Sequence, residues 1–250
     1  MAKLQIMLLG CGKMGSAMLK GWLADASLDA QFTIIEPFAD HLDWVRAHQQ
    51  VAVYHDCEAA ISAEAPVNSV IVLAVKPQMM DEAIADLGAL AGPDTAFLSI
   101  AAGLSTAWLR DRLGDGALVM RSMPNTPAAI GKGVTALYCG DAPEPVASLA
   151  TQLLRAIGEV VILDDEGLMD AVTAVSGSGP AYVFLLAEAM SVAGVKAGLP
   201  ESLAKELARK NQTSVVIANK NIKIAKSIGK MISTKYYLTE YSKDVIGIEV

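Results

Sequence analysis

Leu4-Gln5-Ile6-Met7-Leu8-Leu9 runs directly into Gly10-Cys11-Gly12-Lys13-Met14-Gly15. The first six residues are the apolar run of a strand, and the next six have the spacing G-x-G-x-x-G. Ser16 to Ala24 predicts the helix that follows, and Phe32-Thr33-Ile34-Ile35-Glu36 predicts a second strand ending on an acid. In this setting Gly10 permits a tight turn, Gly12 lets backbone approach a pyrophosphate, and Gly15 lets the helix pack closely on the strand. Free N–H groups and the positive end of the helix dipole would face the phosphates. A glycine-rich turn without a ligand is the plainer alternative, and the two flanking strands argue against it. Glu36 follows Gly15 at about the 20-residue spacing of such fingerprints. A carboxylate there accepts both hydroxyls of an adenosine ribose and repels a 2′-phosphate, and no Arg follows until Arg46. The sequence leans toward NAD, unless Glu36 is only a solvated strand end.

The totals of the chain narrow the rest. Its 250 residues suit one large domain or two modest ones. With 53% hydrophobic and 19% charged residues it is globular rather than disordered. A formal charge of −7 argues against broad nucleic-acid binding. Cys11, Cys57 and Cys139 are widely spaced, which suits a reducing compartment and predicts neither a disulfide framework nor a metal cluster. His41, His48 and His55 show no ligand-like pairing and are read as surface or packing residues. The N-terminal apolar run is too short for a signal peptide, and no window holds the roughly 20 uninterrupted apolar residues of a membrane span. The expected setting is a soluble, cytoplasmic protein.

Alternation continues after Glu36. Helices are predicted over Ala39–Gln50, Cys57–Ser62, Met79–Leu90, Ser105–Leu113 and Pro145–Ile157. Strands are predicted over Val51–Tyr54, Ser69–Val75, Thr95–Ala102, Gly116–Met123, Val134–Cys139 and Val160–Leu163. Strands alternating with helices mean a doubly wound α/β domain over residues 1–164. From Asp165 the pattern is helical: Glu166 to Val175, a break at Ser176-Gly177-Ser178-Gly179-Pro180, then Ala181 to Val195, whose one charge is Glu188. A helix that is apolar nearly all round is buried on all sides. Within residues 165–250 the missing cover is expected from a second subunit, or else from a local core.

Several segments then line up with one family. Gly10-Cys11-Gly12-Lys13-Met14-Gly15, Leu73-Ala74-Val75-Lys76-Pro77-Gln78, Ser99-Ile100-Ala101-Ala102-Gly103, Arg121-Ser122-Met123-Pro124-Asn125-Thr126-Pro127 and Thr173-Ala174-Val175-Ser176-Gly177-Ser178-Gly179-Pro180-Ala181-Tyr182 occur in order. Over about residues 1–209 the chain closely resembles Δ1-pyrroline-5-carboxylate reductase, the last enzyme of proline biosynthesis. The resemblance implies a Rossmann domain, a helical domain that interlocks two subunits into a dimer or higher homo-oligomer, and hydride transfer from NADPH or NADH to 1-pyrroline-5-carboxylate. By position it implies that Gly10, Cys11, Gly12, Lys13, Met14 and Gly15 hold the pyrophosphate. Ala74, Val75, Lys76 and Pro77 would line the nicotinamide-ribose side, and Ala101, Ala102 and Gly103 would lie near the nicotinamide with Met123, Pro124 and Asn125. The backbone alternatives are a strand end held extended before Pro77 and a rigid turn bounded by Pro124 and Pro127. Lys13 and Lys76 are either cofactor contacts or solvated lysines. No residue is singled out as catalytic, no Ser-His-Asp set is present, and no metal is expected.

The C-terminal segment departs from that pattern. Residues 1–209 carry 13 basic and 24 acidic side chains, whereas 210–250 carry 7 and 3. The family's Ser-Pro-Gly-Gly-Thr-Thr type segment, expected to grip the substrate carboxylate and ring nitrogen, has no counterpart between Lys210 and Val250. Ser214, Ser227, Ser233 and Thr234 are hydroxyls outside any such setting. Ile217, Ile224, Ile228 and Met231 at helical spacing, with Lys220, Lys223, Lys226 and Lys230 between them, predict a basic amphipathic helix. Two rival readings follow: an NAD(P)-binding homologue that lacks the substrate clamp, and another imine or hydroxyacid reductase on the same scaffold. The last would need a catalytic lysine in the helical domain; Lys196 and Lys205 are present there, but neither sits in a motif that marks it as one.

Overall fold

The computed structural model of the chain describes residues 3–62, 70–92 and 95–218. Strands β1 (Leu4–Leu9), β2 (Ala30–Ile35), β3 (Val51–Tyr54), β4 (Val70–Leu73), β5 (Ala96–Ser99), β6 (Leu118–Met123), β7 (Gly133–Tyr138) and β8 (Gly158–Leu163) form one sheet. Its order is β3-β2-β1-β4-β5-β6-β7-β8, parallel throughout except between β6 and β7. Between the strands lie α1 (Lys13–Ala24), α2 (Cys57–Ser62), α3 (Met80–Ala83), α4 (Thr106–Leu113) and α5 (Glu144–Arg155), with a 3₁₀ segment at Ala39–Ala47. This is a Rossmann-type doubly wound sheet.

Alternation along each strand builds its two faces. Ile6 and Leu8 pack in one core with Trp22, Phe32 and Leu153, while Met7 and Leu9 pack in the other with Ile71, Leu73, Phe97 and Leu109. A strand covered on both faces has no polar side, which is why Val70-Ile71-Val72-Leu73 is apolar at every position. On the first face the Trp22 ring stacks on Phe32 at 5.7 Å, and its Nε1–H donates to the Leu153 carbonyl at 2.9 Å. That bond satisfies the indole's polar atom inside the core.

Several helices differ from the sequence expectation. α1 begins at Lys13, three residues before Ser16, because Gly12 is its N-cap. The helix expected over Met79–Leu90 resolves into 3₁₀ turns at Pro77–Met79 and Leu87–Leu90 around the short α3. Met80, Ile84 and Leu87 reach the core at helical spacing without one continuous hydrogen-bond ladder between them. Ala39–Gln50 likewise becomes the 3₁₀ segment, kinked at Leu42.

Past β8 come a 3₁₀ turn at Glu166–Leu168, α6 (Met169–Val172), a π-helical segment at Thr173–Gly177, α7 (Gly179–Lys196) and α8 (Glu201–Ala218). The expected break at Ser176–Pro180 is thus a π turn, in which Ser178 N–H donates to the Thr173 carbonyl at 2.8 Å. Pro180 has no N–H to offer the Ser176 carbonyl, and the Asn125 amide donates to that carbonyl instead at 3.3 Å. The chain divides into two compact units, one ending at Ser178 and one beginning at Gly179. The sequence changes character at 164/165, but α6 still belongs to the first unit and buries Met169 there. In the second unit, Ala204 and Ala208 of α8 are buried, and Gly194 of α7 lies close against Ala204. No residue of α7 is buried. The predicted basic helix beyond residue 218 lies outside the described residues.

Candidate functional site

In the parallel part of the sheet the strand ends are level. Leu9 pairs with Ile35 on one side and Leu73 on the other, Leu73 pairs with Ser99, and Ser99 pairs with Arg121. The loops after β2, β1, β4, β5 and β6 therefore open along one edge. They carry, in that order, Glu36, Gly10 to Gly15, Ala74 to Pro77, Ala101 to Gly103, and Pro124 with Asn125 after the strand-end Met123. Strand order reverses between β1 and β4, which is where open α/β sheets form their ligand crevice.

The glycines of the first loop have different reasons for being glycine. Gly10 has φ +88°, and a Cβ there would meet the Ala74 carbonyl and Val75 Cγ1, both at 2.9 Å. A Cβ on Gly15 would come within 2.3 Å of the Gly10 carbonyl oxygen, so the close seat of α1 on β1 depends on its absence. Gly12 is different: a Cβ there would meet no protein atom within 4 Å. The fold does not need this glycine, and the space beside it is open to a ligand. α1 starts there with no side-chain cap and no acid in its first turn, which leaves its positive end available to an anion.

Cys11 is the fixed point of the loop. Its N–H donates to Glu36 Oε2 at 2.7 Å, and its carbonyl accepts from Ser16 Oγ at 2.8 Å and faces His41 Nε2 at 2.8 Å. The second oxygen of Glu36 accepts from Phe38 N–H at 3.1 Å. Glu36 thus reaches the glycine loop through its own hydrogen bonds. Burial pushes the Cys11 thiol above its ordinary value, and pushes Cys57 up to about 11. Neither is a thiolate nucleophile at neutral pH. His41 was expected among surface or packing residues. It is exposed, and it also holds the glycine-rich loop, a role its spacing five residues after Glu36 alone did not signal.

The other three loops are held from beneath. Lys76 is extended before Pro77, and its side chain, like that of Lys13, is exposed. Ala101 N–H donates to Ser99 Oγ at 3.2 Å, while Ser122 Oγ donates to the Ser99 carbonyl at 3.3 Å. These bonds tie the turn after β5 to its own strand end and β5 to β6. Asn125 is buried, with Oδ1 accepting from Val134 N–H at 2.9 Å and its amide nitrogen directed at Ser176. Both ends of its side chain are committed to the protein, so its contribution is to join the β6 loop to the π turn. Glu166 binds two other segments through three bonds: it accepts from Thr106 N–H at 2.7 Å, Thr106 Oγ1 at 2.6 Å and Arg121 Nη1 at 2.7 Å. Burial alone would raise its carboxyl. The Thr106 hydroxyl, the Arg121 guanidinium and the Thr106 N–H outweigh that and hold it below the ordinary carboxylate value. Among the described residues no group of three His, Cys, Asp or Glu side chains is placed to hold a metal ion.

Comparison with known proteins follows the same division. Residues 5–103 match the family described as NADP oxidoreductase, coenzyme F420-dependent, and residues 166–235 match pyrroline-5-carboxylate reductase dimerisation. The second match runs past residue 209, where the motif resemblance ends. A Coxiella burnetii pyrroline-5-carboxylate reductase superposes with a TM-score of 0.78 at 25% identity, covering 98% of this chain and 91% of that one. A Plasmodium falciparum pyrroline carboxylate reductase, solved with NADP bound, gives 0.75 at 25% identity over 89% and 81%. The Pseudomonas aeruginosa pyrroline-5-carboxylate reductase is 38% identical over 205 residues, 81% of this chain and 73% of that protein. The Synechocystis reductase is 40% identical over 207 residues, 82% of this chain and 75% of its own length, and at that likeness the chain belongs to the pyrroline-5-carboxylate reductase family.

Proposed function

We propose that this chain reduces Δ1-pyrroline-5-carboxylate to proline with NAD(P)H, and that the level loops of β2, β1, β4, β5 and β6 form its cofactor site. The observation that carries the reading is the contrast inside Gly10–Gly15. Two of the three glycines are required by packing, and Gly12 faces open space at the start of a helix. A missing side chain that the fold does not need is what close approach of a pyrophosphate requires. Lys13, Met14 and Gly15 share that helix end. Ala74 to Pro77, Ala101 to Gly103 and Met123 to Asn125 continue the same edge toward the nicotinamide.

Bound NAD(P)H would supply a hydride to the imine carbon, and the proton on the imine nitrogen completes the amine of proline. The protein's share is to orient the ring, exclude water and bind the carboxylate. The joined strand ends at Ser99 and Ser122, with Asn125 anchored beside them in the β6 loop, would form the floor on which the imine lies. Glu36, already facing the loop, favours a ribose with free hydroxyls over one carrying a 2′-phosphate, so NADH is the better cofactor at neutral pH.

Assembly belongs to the same reading. Within the 31-residue run Glu166–Lys196, an 18-residue window has mean hydropathy 1.3, a value a membrane span also has. The dimerisation match over 166–235 supports contact between subunits as the use of that apolar surface. All three cysteines are free, in keeping with a cytoplasmic setting. The deciding assay is oxidation of NADH and NADPH by the purified chain with and without Δ1-pyrroline-5-carboxylate, beside a cofactor titration. Turnover dependent on the imine is expected. Saturable cofactor binding without turnover would instead mark the chain as a nucleotide-binding homologue.

A further inference from the structure

His41 and Glu36 approach the two ends of one residue. Cys11 N–H is held by the Glu36 carboxylate at 2.7 Å, and the Cys11 carbonyl lies 2.8 Å from His41 Nε2. A carbonyl only accepts, so Nε2 carries a proton in this arrangement. His41 stands on the 3₁₀ segment that follows β2, in solvent, at the start of the glycine-rich loop. The titratable and charged groups around its ring are few. Glu36 comes from the end of β2, Asp40 from its own segment, and Cys11, a neutral thiol, from the loop. Lys20 of α1 lies over the Trp44 ring of the same segment, 4.8 Å from its centroid. Among the described residues, two acids therefore act on an imidazole whose Nε2 points at a carbonyl, and Lys20 lies against Trp44 instead. The Cys11 carbonyl, against a small penalty from burial and with help from the Phe38 backbone, Glu36 and Asp40, raises His41 above the ordinary histidine value. The cation is the form this site favours.

We propose that His41 is a specificity-determining residue for the cofactor: its cationic form, set against Glu36 across Cys11, lets the site accept a 2′-phosphate that Glu36 alone repels. This rests on the reading of Glu36 as the residue that meets the adenosine ribose. The choice between NADPH and NADH then follows pH. Below the folded value of His41 the imidazolium offsets the carboxylate, and the two cofactors bind more nearly alike. As pH rises through that value the positive charge is lost, and NADPH is disfavoured while NADH is little changed.

The test is equilibrium binding, read from nicotinamide fluorescence, of NADPH and NADH to the full chain between about pH 6 and about pH 8.5, the range in which histidine changes charge. The ratio of Kd for NADPH to Kd for NADH should climb about five-fold across that range, within the tenfold that one pK unit of coupling gives. In His41→Gln, which keeps an N–H for the Cys11 carbonyl, the ratio should stay near its high-pH value. Ionisation of the 2′-phosphate itself, with its second pKa near 6, is common to both proteins and cancels in the comparison. The same climb in His41→Gln as in the parent would overturn the proposal. Glu36→Gln separates the two readings. If it weakens both cofactors equally, the ribose reading of Glu36 fails, and the proposal with it. If it erases the preference for NADH while His41→Gln changes nothing, only the role of His41 fails.

Discussion

α1 and α7 are both rich in apolar residues, and they end in opposite conditions. α1 buries Gly15, Ala17, Met18, Leu19 and Trp22 and keeps Lys13 and Lys20 in solvent. α7 carries Tyr182, Phe184, Leu185 and Leu186, each more than half exposed, and buries nothing. The difference is already in the arrangement of side chains. In α1 the apolar residues occupy one side, so a single sheet face satisfies them. In α7 they go all round, and no single neighbour could cover them. A contiguous apolar surface of this kind marks an interface, consistent with the dimerisation match that includes it. A side chain as large as Phe184 contributes about 1.5–3 kcal/mol when fully buried. Four such residues lie within the five positions 182–186, a concentrated apolar contribution to an interface.

The comparison can be broken most forcefully on α7. Phe184→Asp should cost assembly about 4 kcal/mol, because it removes a large apolar group and puts a charge in the contact. Sedimentation should then show monomers or aggregates. An unchanged profile would mean that α7 is covered in some other way. On α1 the sharper experiment is a pair of variants. Gly15→Ala forces a methyl against the Gly10 carbonyl and should cost about 3 kcal/mol in urea unfolding. Gly12→Ala meets nothing in the fold and should leave unfolding unchanged, yet weaken NADH binding about tenfold. Equal losses of stability in the two variants would refute the division between a packing glycine and a ligand glycine.

A smaller effect is expected at Glu166, which belongs with α1 as a residue satisfied inside its own unit. Glu166→Ala should cost about 2 kcal/mol near pH 7, since it strands the buried Arg121 and removes two bonds to Thr106. Its carboxyl is held below the ordinary value in the folded chain. The contribution is therefore fully present above the unfolded value of about 4.3 and is lost as pH falls through the folded one. Urea unfolding of parent and variant should differ at pH 7 and converge in acid. A gap independent of pH would show that packing, rather than the ionised carboxylate, supplies the stability.

The doubly wound sheet was legible in the sequence because its signals are local: Leu4–Leu9 beside a glycine turn, and Val70–Leu73 apolar at every position. Pieces of helix were harder. Met80, Ile84 and Leu87 satisfy a helical period, but apolar spacing does not report whether the hydrogen-bond ladder between them continues. The π turn was invisible for a different reason. Its Ser176 carbonyl is met by Asn125, 51 residues earlier, just as Glu166 is met by Arg121 across 45 residues. Such pairs exist only once the chain is folded. The change from alternating strands and helices to helices alone at 164/165 marks where strands stop, while the first compact unit runs on to Ser178, and α6 lies between the two. The five loops of the candidate site were read as separate motifs. Their shared edge follows from strand register, which no single motif contains.

The anchoring of Cys11 has a consequence for entropy. A glycine-rich loop is the part of a chain with the most conformations to lose, at about 1–2 kcal/mol for each residue whose backbone is fixed. Here Glu36, Ser16 and His41, all side chains of the chain itself, fix the middle of the loop. Folding has already met much of the ordering cost that a ligand would otherwise carry. A dinucleotide bound at this edge, as proposed, would meet a mould rather than a flap.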